Sequence, residues 1–354
     1  MKIEMTSNNS RKPWIDALRG FAMLLVIIMH VPFAAGVSGE NVYTTLIGWM
    51  FMPLFFFVSG LVMYNPNRQW SAKTWCTYMG RKFMQLIVPT SIVFLLLCWV
   101  YRYNVLAQLL HPMKAGCWFT ITLFGFILLY TFYEWIMRVI KVRDIWKNIL
   151  LLIITSALSC VVAKFALWKG VFGENIRVYY DALQISKWCY FQYFILGVLV
   201  SKYQKWIKKV IAYPMLLAFT FIVWIVVAIT CMQDLVVALP IPYLNQLINI
   251  IYVYVSITLV TYVFYYYRHQ IEITRLGKIT SVIGCNTLGI YLLHYFFLWG
   301  EYRFIVDFCA SNPTQLIMFL IYVLDALIIL VATMLLISVV KVSPLLSKLI
   351  LGKK

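Results

Sequence analysis

Two side chains that lipid should reject stand in the first long apolar run, WIDALRGFAMLLVIIMHVPFAAG, from Trp14 to Gly36. Arg19 lies near its start and His30 deep inside. Their separation of eleven positions, at about 100° per residue, makes three turns plus roughly 20°. Both therefore leave one face of a helix, about 16 Å apart along its axis. An arginine in hydrocarbon costs about 2.5–3.5 kcal/mol on insertion scales, so it faces a cavity or a partner. Asp16, one turn earlier, is a candidate partner. A guanidinium fork grips phosphate or carboxylate, and an imidazole moves protons near neutral pH. The helix reads as one wall of a polar path that ends at an imidazole.

The rest of the chain must position that path in a membrane. Of 354 residues, 63% are hydrophobic and 12% charged, with a mean hydropathy of +0.86. Soluble domains of this size do not have such a composition, so the expected class is an all-α, polytopic transmembrane helical bundle. Ten apolar runs are long enough to span, at about 14–36, 43–64, 83–101, 117–138, 148–168, 184–200, 213–232, 246–267, 284–302 and 315–340. Together they read as a single integral-membrane domain over 1–354. The first is too long and too polar for a signal peptide and is expected to be retained. The eight cysteines are scattered singly, with no C-x-x-C pair, and read as small core residues.

The net charge of +18 reads as basic cytoplasmic loops and not as a nucleic-acid surface. Connections after the even-numbered spans are basic: Arg68, Lys73, Arg81 and Lys82; Arg138, Lys141, Arg143 and Lys147; Lys202, Lys205, Lys208 and Lys209; Arg268, Arg275 and Lys278. The stretches 37–42 and 233–245 carry no Lys or Arg, and only Arg303 follows the ninth span. The stretch 164–187 departs from the pattern, with Lys164, Lys169, Arg177 and Lys187 beside Glu174 and Asp181. The positive-inside rule then puts both termini in the cytoplasm. Arg19 lies near the cytoplasmic face and His30 past the midplane.

These residues resemble acyltransferase family 3, the integral-membrane O-acyltransferases of bacterial surface carbohydrates. The first-helix signature is Arg or Lys, ten residues, then His, as in Arg19 and His30. FFFVSG (Phe55 to Gly60) is similar to the second-helix motif. RKFMQLIVP (Arg81 to Pro89) is similar to the basic lead into the third helix. GCNTLGIYLLH (Gly284 to His294) is similar to a late-helix pattern. The four occur in family order. Many members carry Arg-x-x-Arg before the third-helix proline, where this chain has Lys82 and Gln85. The resemblance implies an O-acyltransferase of the bacterial inner (plasma) membrane. Its donor would be cytoplasmic acetyl-CoA, or another acyl-CoA such as succinyl. Its acceptor would be a hydroxyl of a cell-surface or lipid-linked carbohydrate.

Each candidate residue then has a role and an alternative. His30 would be the base that removes the hydroxyl proton; the alternative is a histidine satisfied between helices. The 16 Å estimate suits a pantetheine arm with its phosphate at Arg19. Thr287, Tyr291 and His294 recur at i, i+4 and i+7 and share a helix face. His294 would orient His30, bind the acceptor or donate to the oxyanion, unless this face only bonds neighbouring helices. Asn286 reads as a ligand or as an N-terminal cap. Ser59, beside Gly60, reads as helix packing or donor contact. Arg81 and Lys82 would meet phosphate, of CoA or of lipid headgroups. Trp118 reads as an interfacial ring or a platform for a sugar, and Asp16 as the partner of Arg19 or a substrate contact. No His-x4-Asp, G-x-S-x-G, Walker A or H-E-x-x-H motif occurs, and no metal site is expected. The rival reading is a proton-coupled transporter or flippase of a glycan precursor, which would use the same buried Arg and His.

Overall fold

The computed structural model describes residues 12–36, 41–138, 140, 142–167, 174–205, 209, 213–232, 244–298, 307 and 314–353. Most of 37–42 and 233–245, together with Lys141, Lys169, Lys208 and Arg303, lie outside the described residues. Among the described residues there is no strand, and the architecture is an all-α polytopic bundle. Seven of the described helices are long and apolar enough to cross a membrane, and a bent pair makes an eighth.

Local signals set the first elements. Helix α1 (Pro13–Ala34) begins on a proline, whose missing N–H costs nothing there. Helix α2 (Val42–Met63) is capped by Asn41, whose side chain accepts from the Tyr43 and Thr44 amides at 3.0 and 3.4 Å. Helix α3 (Ala72–Lys82) starts on a capping box of Ser71 and Thr74. It passes through a π turn at Phe83–Ile87 into α4 (Val88–Val100). The turn has a cause in the sequence. Pro89 lacks an N–H and its ring crowds the carbonyl four residues back, so the ladder widens. The run from Ala72 to Val100 thus starts a full helix earlier than the predicted span at 83.

After α5 (Val105–Leu110) come α6 (Trp118–Ile136), α7 (Asp144–Leu167) and α8 (Glu174–Ala182). The sixth predicted span opens as a 3-10 turn, Ile185–Tyr190, before α9 (Phe191–Lys202). Then follow α10 (Pro214–Met232), α11 (Leu244–Tyr266), α12 (Arg268–Ile273), α13 (Arg275–Cys285), α14 (Thr287–Leu293), α15 (Gln315–Val340) and α16 (Pro344–Leu351). The ninth predicted span, 284–302, needs correction. Its helix begins at Arg275 and bends by 67° between α13 and α14. At the bend the Asn286 side-chain amide donates to the Val282 carbonyl at 2.8 Å. Such local side-chain bonds compete with the helix ladder.

Two glycine crossings bring helices to backbone contact. A Cβ at Gly284 would stand 1.7 Å from the Asp16 carbonyl oxygen, and one at Gly20 would stand 2.1 Å from that of Thr280. Helices α1 and α13 therefore touch with no side chain between them. Gly60 and Gly197 join α2 to α9 in the same way, 2.0 Å from the Phe194 oxygen and 1.9 Å from the Phe57 oxygen. Ala17, Leu18, Ala22, Met23, Val26 and Ile27 of α1 are all 0% exposed. That central position carries Arg19 and His30 into the protein interior. Cys76, Cys98, Cys117, Cys160, Cys189 and Cys285 are free thiols.

Candidate active site

The two candidate histidines come together. Their rings stand 5.1 Å apart, centroid to centroid, at 72°. His30 Nδ1 is 2.6 Å from the Val26 carbonyl oxygen on its own helix. A carbonyl only accepts, so Nδ1 carries the proton and Nε2 presents a lone pair. The Tyr295 hydroxyl, 2.9 Å away, donates to that lone pair. His294 repeats the arrangement one helix over: its Nδ1 donates to the Ile290 carbonyl at 3.0 Å. Its Nε2 is buried and has no hydrogen-bond partner. Each imidazole is thus set in one tautomer by a backbone carbonyl four residues back, with Nε2 as the basic atom.

Sequence reasoning missed Tyr295. Residue 294 opens a 3-10 turn, His294–Phe297, and the tighter winding turns Tyr295 toward His30. Its backbone carbonyl accepts from the Tyr101 hydroxyl at 2.9 Å. Its ring lies over Gly116, where φ is +88° and an added Cβ would meet the ring at 2.3 Å. Only glycine meets both conditions. The one available signal was an aromatic directly after the IYLLH stretch.

A cavity of about 200 Å³ lies on the other side of Tyr291. Arg19, Arg68 and Lys82 supply its positive charge, and Ser59, Thr287 and Phe119 line it as well. Arg19 Nη2 donates to Thr287 Oγ1 at 2.8 Å, while Nη1 stands 3.5 Å from Asp16 Oδ1. Ser59 Oγ donates to the Phe55 carbonyl at 2.8 Å. The pair expected to share one job therefore divides it: Gly60 makes the helix crossing and Ser59 faces the cavity. Tyr291 closes the inner end. Its hydroxyl donates to the Gly116 carbonyl and accepts from the Phe119 amide at 3.0 Å. Its ring is 6.2 Å from that of His294 and 6.3 Å from that of Tyr295. One aromatic layer separates the cationic cavity from the histidines.

Arg68 is the second residue that the sequence did not single out. It read as one loop charge among many, yet its guanidinium lies 4.3 Å from the Tyr78 ring centroid and lines the cavity. Other expected residues fall elsewhere. Arg81 leaves the far side of α3 and lines a separate cleft with Lys348 and Lys353. Asp16 is 7% exposed, stays beside Arg19 and does not line the cavity. Trp118 is covered and offers no open platform. It is 5% exposed, with Tyr190 stacked on it at 5.9 Å and the Lys187 ammonium 4.5 Å from its centroid. Asn286 does not cap α14 with its side chain; its oxygen accepts from Lys353 Nζ at 2.9 Å. Among the described residues no cluster of His, Cys, Asp and Glu could hold a metal ion.

A family model described as an acyltransferase domain matches residues 12–342. No curated protein and no solved structure gives a match. The matched stretch runs from the start of α1 past the end of α15 and takes in the cavity and both histidines, so the chain belongs to acyltransferase family 3 and is a membrane acyltransferase.

Proposed function

We propose that the protein transfers an acyl group, acetyl in the first instance, from cytoplasmic acyl-CoA to a hydroxyl of a cell-surface or lipid-linked carbohydrate. The observation that carries this reading is the cavity with Arg19, Arg68 and Lys82 at its wall and Tyr291 lining it, whose ring is 6.2 Å from that of His294, itself beside His30. The donor thioester enters through the cavity, and the Tyr291 ring turns aside to let it reach the side of His30. The acceptor hydroxyl replaces the Tyr295 hydroxyl at His30 Nε2, which takes its proton as the oxygen attacks the thioester carbonyl. A carbon–oxygen bond forms, the carbon–sulfur bond breaks, and the proton passes on to the departing thiolate. Both termini lie in the cytoplasm of a bacterial cell and the bundle spans its inner membrane. That orientation rests on the alternation of Lys and Arg between connections.

Membranes containing the protein, incubated with acetyl-labelled acetyl-CoA, are expected to gain label on carbohydrate. No covalent transfer would leave the transporter reading. Reporter fusions at Gly39, Arg143, Asn245 and Lys354 are expected to read outside, inside, outside and inside. An external signal at Lys354 would reverse the orientation.

A further inference from the structure

A second cavity, of about 350 Å³, opens at the level of the basic connections. It is lined by Arg68, Arg138, Lys147 and Lys202, with the carboxylates of Glu134 and Asp144. Four cations face two anions there. Three different connections supply the cations, so the concentration of charge arises from the tertiary structure and from no single basic run. Lys147 Nζ donates to the Met137 carbonyl at 2.7 Å and Arg138 Nη1 to the Trp70 carbonyl, each with further N–H groups to spare, while the ion pairs are loose. Lys202 Nζ is 3.9 Å from Glu134 Oε1 and 3.7 Å from Asp144 Oδ2. Lys147 Nζ is 3.9 Å from Asp144 Oδ1. These separations exceed a hydrogen bond, whereas a phosphate oxygen between the same ammonium groups could approach to about 2.8 Å. Tyr64 and Tyr133 add aromatic edges to the wall, against which a purine can pack.

Arg68 joins this cavity to the first, because its side chain lines both. The two cavities therefore lie against one shared guanidinium, the larger among the basic connections and the smaller lined by Tyr291. Together they suit an elongated ligand, with several phosphates among the four cations of the larger cavity and an arm whose amide and thioester oxygens can accept from Arg19 and Lys82 in the smaller one.

We propose that the second cavity binds the phosphorylated nucleotide head of the acyl donor, and that the acyl-bearing arm passes Arg68 toward Tyr291. This inference rests on the acyl-CoA reading above. It places the head among Arg138, Lys147 and Lys202 and away from the cleft of Lys348 and Lys353. An anionic lipid headgroup offers the same phosphate chemistry, so the test must separate the two sources.

The probe is 8-azidoadenosine 3′,5′-bisphosphate, photolysed with the full chain in phosphatidylcholine nanodiscs. Label is expected on peptides covering 64–70 and 133–148. It should be displaced by CoA and not by phosphatidylglycerol. Label on 81–85 or 344–353, label that CoA does not displace, or displacement by phosphatidylglycerol would overturn the proposal. A kinetic arm uses two donors. Arg138→Gln and Lys202→Gln are each expected to raise KM for acetyl-CoA about tenfold and to leave KM for S-acetylpantetheine, which lacks the phosphates, within about twofold. Lys348→Gln should change neither. An equal loss with both donors would overturn the assignment, whether by misfolding of a wall that is only structural or by a shared defect. If the wild-type protein transfers from neither donor but the label still maps to this cavity, the acyl-transfer reading falls and the nucleotide site stands.

Discussion

His30→Ala is expected to lower acyl transfer by about 10²- to 10⁴-fold, the range typical for loss of a general base, or about 3–5.5 kcal/mol of barrier. The variant should still insert and fold, because the side chain is only partly buried and its removal leaves no orphan charge. The geometry supports the size of the effect. The Val26 carbonyl holds the Nδ1 proton at 2.6 Å, so Nε2 is oriented before substrate arrives. Tyr295→Phe should cost less, since it keeps the ring over Gly116 and removes only the hydroxyl that sits 2.9 Å from Nε2. Acetyl transfer to carbohydrate and protein level in the membrane, measured for both variants, check these outcomes. Near-normal transfer by His30→Ala would move the base to His294, whose Nε2 already stands unpartnered in the interior.

Arg19→Ala is expected to raise KM for acetyl-CoA by roughly ten- to a hundredfold, from the about 1.5–3 kcal/mol of a hydrogen bond to a charged group. The turnover number should change little if Arg19 holds ground state and transition state alike. Arg19→Lys keeps the charge and loses the fork, so its effect should fall between wild type and alanine. The structure sharpens this test through Thr287. Arg19 Nη2 donates to Thr287 Oγ1 at 2.8 Å, a tighter contact than the 3.5 Å to Asp16. Thr287→Val should raise the same KM several-fold, and Asp16→Asn should have the smaller effect. If Arg19 served only to pair with Asp16, Asp16→Asn would be as harmful as Arg19→Ala, and the double substitution would partly restore the protein. Titration of acetyl-CoA against each purified variant separates these cases. Unchanged affinity in a folded Arg19→Ala protein would end the donor role.

What the sequence determined by itself was everything governed by short-range periodicity. Runs of apolar residues long enough to span required helices, because lipid leaves backbone groups no partner outside the segment. Eleven positions are close to three helical turns, so Arg19 and His30 had to share a face whatever packed against it. The same arithmetic grouped Thr287, Tyr291 and His294, and the structure does turn all three toward the first helix and its cavity. Pro89 and the flanking basic residues were visible, though not the π turn that they accompany.

Only the tertiary structure decided which groups meet across the chain. Thr287 reaches Arg19 over a separation of 268 residues, and Tyr295 reaches His30 over 265. Neither contact has a local signal: both follow from the crossing of α1 and α13 at Gly20 and Gly284, and that of Tyr295 also from the bend and the 3-10 turn beyond it. A glycine announces that close approach is possible and does not name the partner. Adjacent residues on a helix point about 100° apart, so choosing between Arg81 and Lys82 required knowing what stood on each side of α3. The protein interior took Lys82, and the cleft beside α16 took Arg81. Trp118 needed the same information: whether an aromatic at a helix start stands open or covered depends on Tyr190 and Lys187, which lie against it. The 67° bend at Asn286 also escaped the pattern, since hydropathy records how apolar a run is and carries no information on its direction.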